Sequence, residues 1–494
     1  MTGPRRGEAL RVAAVDLGAT SGRIMAGTVT RSGVQLEELH RFPNGGVRVG
    51  GALQWDVLGI HREALHGLRE VARTGPLHGI GIDSWAIDYG LLDRDGVLLG
   101  NPYSHRDSRT DGVMEQVTRV VDPADLYATT GIQQLPFNTL YQLVAAQGTA
   151  ALESAETLLL LPDLLGYWLT GEIGAERTNA STTQLYDVSR GEWAIDLAKR
   201  VGVPWAILPE IREAGDVVGR LRNEAGRDIG LRARVPVIAV GSHDTASAVV
   251  GVPAQTERFA YISSGTWSLV GLELDRPVLT EEARLADFTN EVGVDGTIRF
   301  LKNVMGLWVL SESVRGWQAD GVAHTDLVSL LAAAESAPAL RTVVDINDPR
   351  LLPPGDMPSR IAPLAREAGE PVPSDPVATT RCILDSLALA YRRHVHGAAR
   401  IAGQDVDVVH VVGGGSQNHL LCQLTADACG LPVLAGPTEA AALGNVLVQA
   451  RTLGADLPDL AAMRDLVRAT YGLRRHEPRD GLDWAAAEAR LPTR

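Results

Sequence analysis

The sequence predicts an α/β protein whose two main domains begin alike, and three observations carry that reading. Short β-like runs alternate with helical patterns along the whole chain, which is the signature of strands layered against helices. A strand–turn–strand unit near the N-terminus has a counterpart near the middle. A chain of 494 residues, at about 150 per domain, is also too long for one hydrophobic core.

The first apolar run, Arg11–Asp16, ends on an acid, turns through Leu17–Gly22 and resumes at Ile24–Val29. Two β-like runs around a Gly/Ser/Thr turn predict a hairpin. Leu77–Asp83 and Val235–Val240 are the next strands, the latter followed by a helix over Ser242–Val250. Phe259–Ser263, the turn Ser264-Gly265-Thr266 and Trp267–Leu272 repeat the opening order, so a second domain begins there. The join falls near Gly251–Glu257, where Gly, Pro and Gln break the pattern. Further on come a helix over Arg381–Ala402, a strand over Val408–Val412, the glycines Gly413–Gly415 and a helix over Asn418–Gly430. Asn347–Pro376, rich in Pro and Gly, predicts a long ordered surface connection with one short helical piece. Asp456–Arg494 is helical in composition. The expected domains are residues 1–252, residues 253–455 and a helical tail, 456–494.

With 45% hydrophobic residues, the chain can fill cores and is not disordered. A net charge of −14 argues against a general nucleic-acid or anionic-membrane binder, which needs a positive field. It leaves room for a small phosphorylated ligand held by backbone N–H groups. Arg5, Arg6, Glu8 and Arg11 interrupt any apolar leader. The longest apolar runs, such as Thr157–Leu161, fall far short of the ~20 residues of a spanning helix. The expectation is a cytoplasmic protein, monomeric or weakly dimeric. Three cysteines, Cys382, Cys422 and Cys429, make no disulfide framework, and the last two are spaced as core residues of one helix face.

The first turn places Asp16 at a strand end, followed by Gly18, Ala19, Thr20, Ser21, Gly22 and Arg23. Consecutive N–H groups and hydroxyls can bind polyphosphate oxygens, Arg23 can pair with one, and an acid there can hold Mg²⁺ through water. Alone, such a turn is an ordinary polar hairpin. The second turn, Ser263–Thr266, has the same composition, and the pairing raises the phosphate reading. Strand–Gly413-Gly414-Gly415–helix offers bare backbone on which a nucleotide can lie. No lysine follows a glycine, so there is no Walker loop, and the protein-kinase strand lysine is missing too. ATP would then bind through hairpins and glycines.

Asp244, in Gly241-Ser242-His243-Asp244-Thr245, ends a strand and opens a helix. Capping is the plain reading of such a residue, but Ser242 or Thr245 can cap, leaving Asp244 to accept a proton late in phosphoryl transfer. The helix N-terminus should keep that carboxylate charged. Asp83 and Asp88 are further acids. Trp85 between them is either core or a stacking face for a sugar. Arg392-Arg393-His394 is expected on a solvated helix face.

These residues resemble the FGGY carbohydrate kinases. The matching stretches are AVDLGATSGR (Ala14–Arg23), GIDSWAIDYGLLD (Gly81–Asp93), YSHRDSRT (Tyr103–Thr110), TGIQQLPFNTLYQL (Thr130–Leu143), TNASTTQL (Thr178–Leu185), GSHDTASAV (Gly241–Val249), YISSGTWSL (Tyr261–Leu269), LKNVMGLW (Leu301–Trp308), DPRLLPPGDMP (Asp348–Pro358) and VVGGGSQNHLL (Val411–Leu421). They run in order from about Arg11 to about Gly454. PFNTLYQL and SHDTASAV are similar to the branch of the family that acts on L-rhamnulose.

The resemblance implies two ribonuclease-H-like domains of the actin/hexokinase type, closing over sugar and ATP at an interdomain active-site cleft, with Mg²⁺. It implies transfer of phosphate from ATP to the 1-hydroxyl of L-rhamnulose, with L-fuculose or xylulose as alternative ketoses. A non-catalytic sensor on the same fold should have lost the acid or a phosphate loop, and Asp16, Asp244 and Thr266 are all present. By resemblance Asp244 is the proton acceptor, and His243, Thr245 and Asn303 contact the sugar. Ala19, Thr20, Ser21, Gly22 and Arg23 form the first phosphate loop, Thr266 belongs to the second, and Gly414 to the adenosine site. Ala86 stands where the family usually has a sugar-contacting glycine, and Ser311 where an ATP-contacting glutamine is usual. Thr425 and Cys429 occupy positions where some relatives have two cysteines, so no disulfide is available there.

Overall fold

Leu10–Leu17 and Ser21–Thr30 form the first hairpin, in antiparallel register from Leu10 opposite Val29 to Leu17 opposite Gly22. The strand Leu10–Leu17 is buried almost throughout, because helices cover both faces of its sheet and leave no polar side for an alternating pattern. This is a computed structural model and describes residues 9–231 and 234–492; Arg5, Arg6 and Glu8 lie outside them. The chain divides into two units. The first takes in the chain to Gln255, Leu274–Phe300 and Ala440–Thr470, and the second takes in Thr256–Glu273, Leu301–Glu439 and the chain from Tyr471.

In the first unit a six-stranded sheet runs Val217–Arg220, Pro236–Ile238, Ile80–Ser84, Leu10–Leu17, Ser21–Thr30, Gly33–Pro43. Ile80–Ser84 pairs parallel with both Leu10–Leu17 and Pro236–Ile238. The ends of these three strands therefore lie together, the place where α/β sheets carry their sites. The helix Asp244–Val250 follows, and Ala440–Thr452 crosses it closely. A Cβ on Gly444 would stand 1.8 Å from the Ser247 carbonyl oxygen, so only glycine permits that approach.

In the second unit, Phe259–Ser264 and Ser268–Leu274 form the second hairpin, with Ser264 opposite Ser268. Phe259–Ser264 continues parallel to Val408–Val412, which pairs with Val433–Ala435. The long helix Pro376–Ala402 packs with His419–Cys429. Asp375 caps the former by accepting from Ala378 N–H, Pro376 opens it, and Gly403 ends it in the left-handed region at φ 66°. Cys382, Cys422 and Cys429 are free and buried. Among the described residues no helix is long and apolar enough to cross a membrane.

Three expectations need correction. Arg392 and Arg393 do not face solvent: both are partly buried and reach Glu488, at 3.0 and 3.2 Å. His394 beside them is buried and its pKa is pushed down to about 3 by desolvation foremost and then by Lys302 and Arg393. The piece expected to be short within Asn347–Pro376 is the 11-residue helix Met357–Glu367, which admits Pro363 in its interior. The C-terminal stretch, read as helical in composition, also carries a strand, Arg474–His476, between the helices Leu460–Thr470 and Trp484–Ala489. That strand pairs with Val433–Ala435, a sheet-edge contact that local composition does not encode.

Candidate active site

The strand register sets the site in the first unit. Asp16 lies beside Asp83 on the parallel neighbour and opposite Arg23 on the hairpin partner. Arg23 Nη2 pairs with Asp16 Oδ2 at 2.5 Å. Asp83 is fully buried, and its Oδ2 accepts from Asn445 Nδ2 at 2.5 Å. Its Oδ1 has no hydrogen-bond partner. Burial above all, then the negative charges of Asp16 and Asp244, push Asp83 well above the usual carboxylate range.

Asp244 begins its helix, yet the capping expectation fails. His243 occupies the cap position, and its side chain makes no capping hydrogen bond. The Ser242 hydroxyl donates instead to Glu176 Oε2 at 2.8 Å, and Thr245 Oγ1 donates to Asp244 Oδ1 at 3.1 Å. Nor does the helix end hold the pKa of Asp244 down. Burial foremost raises its pKa, His243 works against the rise, and Asp16 adds to it. A helix of seven residues offers too little field to offset that desolvation. The Asp244 side chain still keeps 32% of its surface exposed, so a hydroxyl can reach it.

The loop before Asp244 is clamped from two sides. Glu176, a buried carboxylate, accepts from Ser242 N–H at 3.0 Å, from the Ser242 hydroxyl, and from Thr178 Oγ1 at 2.6 Å. On the other side the fully buried Arg299 reaches His243 Nδ1 with both Nη atoms at 3.2 Å and Glu291 Oε2 with Nη1 at 2.9 Å. Sequence reading missed Glu176, Glu291 and Arg299. The one signal was charged side chains inside otherwise buried strands, Thr289–Val292 and Ile298–Val304.

Ser84 bridges to His243, and Ser84 N–H donates to the Ser242 carbonyl at 2.9 Å, which brings the next turn beside the loop. Ala86 is half-buried on that turn. Ile87 has φ 69°, a costly conformation for a β-branched residue, fixed in part by Thr139 Oγ1 donating to its carbonyl at 2.7 Å. Trp85 is buried against Trp55, ring centroids 4.3 Å apart, and is core. Asp88 accepts from both indole N–H groups and pairs with His105, leaving no free role in chemistry.

In the first turn Gly18 N–H donates to the Ser21 carbonyl at 2.9 Å, with Thr20 exposed and Ala19 and Ser21 half-buried. Gly22 is glycine for packing, since a Cβ there would meet the Phe42 ring at 2.2 Å.

The second unit brings its own candidates together. Gly265 and Thr266 carbonyls accept from Leu307 and Trp308 N–H, docking the turn on the start of Trp308–Ala319, the helix that carries exposed Ser311. Asn303 is half-buried, and Gly306 beyond it packs on the backbone of Trp267 and Ser268. Cβ atoms on Gly413 or Gly415 would strike Ser264, at 2.8 and 2.0 Å. Gly414 between them is exposed, with nothing within 4 Å of the place a Cβ would take. It is a bare backbone shelf.

Among the described residues no group of three or more His, Cys, Asp or Glu forms a ready metal cage. Asp16, at the strand end beside the first turn, is a hard oxygen donor. That chemistry fits a hydrated Mg²⁺ bound through water rather than a caged ion.

Comparison with known proteins agrees with this arrangement. Residues 12–251 match the N-terminal domain of the FGGY family of carbohydrate kinases, and residues 260–453 match its C-terminal domain. A rhamnulokinase of Bacteroides thetaiotaomicron is 42% identical over 96% of this chain and 97% of its own. One from Pectobacterium carotovorum is 45% identical over 96% and 94%. The crystal structure of gluconate kinase from Lactobacillus acidophilus superposes with a TM-score of 0.80 at 15% identity, covering 98% of this chain and 95% of that one. Matches to both family models, which between them span most of residues 12–453, establish that the chain belongs to the FGGY family of carbohydrate kinases.

Proposed function

We propose that this kinase transfers the γ-phosphate of ATP to the 1-hydroxyl of L-rhamnulose, giving ADP and L-rhamnulose 1-phosphate in the cytoplasm. The observation that carries the reading is Asp244: a partly exposed carboxylate at the strand ends, hydrogen-bonded by Thr245 and flanked by His243. The 42–45% identity to rhamnulokinases over nearly the full chain supports the choice of sugar.

In the proposed step the sugar O1 bonds to the γ-phosphorus as the bond to the bridging oxygen of ADP breaks. The proton on O1 passes to Asp244. Because the transition state is loose, the alcohol becomes acidic late, and a carboxylate whose pKa burial has raised is a better acceptor for it. His243 and Thr245 orient Asp244 and, with Ala86 and Asn303, hold the sugar. Ala19–Arg23 and Thr266 present N–H and hydroxyl donors to the phosphates, and Gly414 and Ser311 receive the nucleotide. Mg²⁺, bound through water at Asp16, would supply positive charge against the phosphate oxygens. Residues 1–252 are the sugar and first phosphate-loop domain in this reading, 253–455 the nucleotide domain, and 456–494 the tail.

The test is ADP release by the purified protein with ATP, Mg²⁺ and a panel of L-rhamnulose, L-fuculose and xylulose, with the product identified by ³¹P NMR. The highest kcat/KM is expected for L-rhamnulose. Ala86 adds a methyl where the family usually has glycine, so equal or better turnover of another ketose would overturn the sugar assignment.

A further inference from the structure

His243 lies between the proposed base and a buried ion pair that no local pattern announces. Its Nε2 is 3.5 Å from Asp244 Oδ1. Its Nδ1 faces Arg299 Nη1 and Nη2, each at 3.2 Å and each aligned as a hydrogen bond. A guanidinium has donors only and stays protonated, so the ring nitrogen it addresses must accept. Glu291 Oε2 is also 3.1 Å from Nδ1, which would suit an Nδ1–H. No aligned hydrogen bond reaches that oxygen from either the ring or Arg299; Arg299 Nη1 sits 2.9 Å from it in ion-pair contact, and the two Arg299 contacts to Nδ1 are the aligned ones. Glu291 therefore balances the charge of Arg299 rather than taking a proton from the ring. Arg299 is itself fixed by Nε and Nη2 donating to the Val292 carbonyl at 3.3 and 3.1 Å.

We infer that Arg299, held by Glu291, is a positioning residue that locks His243 as the Nε2–H tautomer. The ring then presents a donor beside Asp244. It cannot remove a proton from the sugar, because its free lone pair is engaged by Arg299 on the far side. Proton acceptance falls to Asp244 alone, with His243 steering the carboxylate or a sugar oxygen. This division of labour rests on the kinase reading above, but the tautomer does not.

Long-range ¹H–¹⁵N NMR on protein labelled at histidine nitrogens, with the His243 signals assigned through His243→Gln, reads the tautomer directly. The wild type is expected to show Nδ1 unprotonated and Nε2 protonated at neutral pH. Arg299→Met removes the donors and leaves Glu291 Oε2 as the group facing Nδ1, so it is expected to shift the ring toward Nδ1–H. A protonated Nδ1 in the wild type overturns the inference even if the variant fails to fold, and so does an unchanged tautomer in the folded variant.

A double-mutant cycle adds the kinetic test. Glu291→Gln should lower kcat about tenfold and leave the KM for ATP unchanged in the wild-type background, and do almost nothing after His243→Ala. Equal losses in both backgrounds would show that Glu291 does not act through His243. If the wild type turned over no ketose, the function reading would fall while the NMR result still decided the tautomer.

Discussion

The two hairpins share a backbone plan and differ in what they set at the strand ends. In the first unit the adjacent parallel strands end with Asp16 beside Asp83, and Asp244 couples electrostatically to both. In the second unit the corresponding pair is Ser263 beside Val412, followed by the glycine shelf. One unit gathers carboxyl groups at its strand ends, and the other presents bare glycine backbone. A hairpin followed by a parallel strand is thus only a mount, and the residues at its tips decide whether it serves proton and metal chemistry or nucleotide docking.

The largest effect that would sharpen this contrast is Asp244→Asn. It should cut turnover by about 10²–10⁴-fold while isothermal titration still detects the sugar. A variant near wild-type rate would remove the acid chemistry from the first unit. The two units also use glycine differently. Gly444→Ala should destabilise the protein by about 1–3 kcal/mol in chemical denaturation, because its methyl would overlap the Ser247 carbonyl. Gly414→Ala, with open space around it, should leave stability within about 0.5 kcal/mol and instead raise the KM for ATP. If Gly414→Ala destabilised the fold with no change in ATP affinity, the shelf would be structural.

A smaller effect concerns pH. Burial foremost, and then the charge of Glu176, push Asp163 up to about 8 from an ordinary 3.8. A carboxyl whose pKa is higher in the folded than in the unfolded state binds its proton more tightly when folded. Its contribution is therefore whole below about pH 4 and is lost as pH rises toward 8. Asp163→Asn, followed by denaturant midpoints between pH 4 and 9, should flatten the decline and give a more stable protein than wild type at the alkaline end. An unchanged slope would show that Asp163 titrates normally.

Much of the framework of the candidate site was legible in the residues themselves. Turn chemistry marked both hairpins, the glycine triplet followed a strand whose bounds were read as Val408–Val412, and Asp244 stood out at a strand–helix junction. Misreadings arose where a partner lay far along the chain. Ser242 is a good cap by type, but Glu176, 66 residues earlier, engages its hydroxyl instead.

What the sequence by itself determined was the alternation of strands and helices, the family, and the acids and glycines available for chemistry. These rest on local propensities and on order along the chain. Only the tertiary structure decided which carboxylates are hidden and which side chains are clamped. Asn445 meets Asp83 across 362 residues and Arg299 meets His243 across 56. Burial and charge pairing depend on which surfaces pack together, and a linear pattern that reports only neighbours within a turn or a strand carries no record of that.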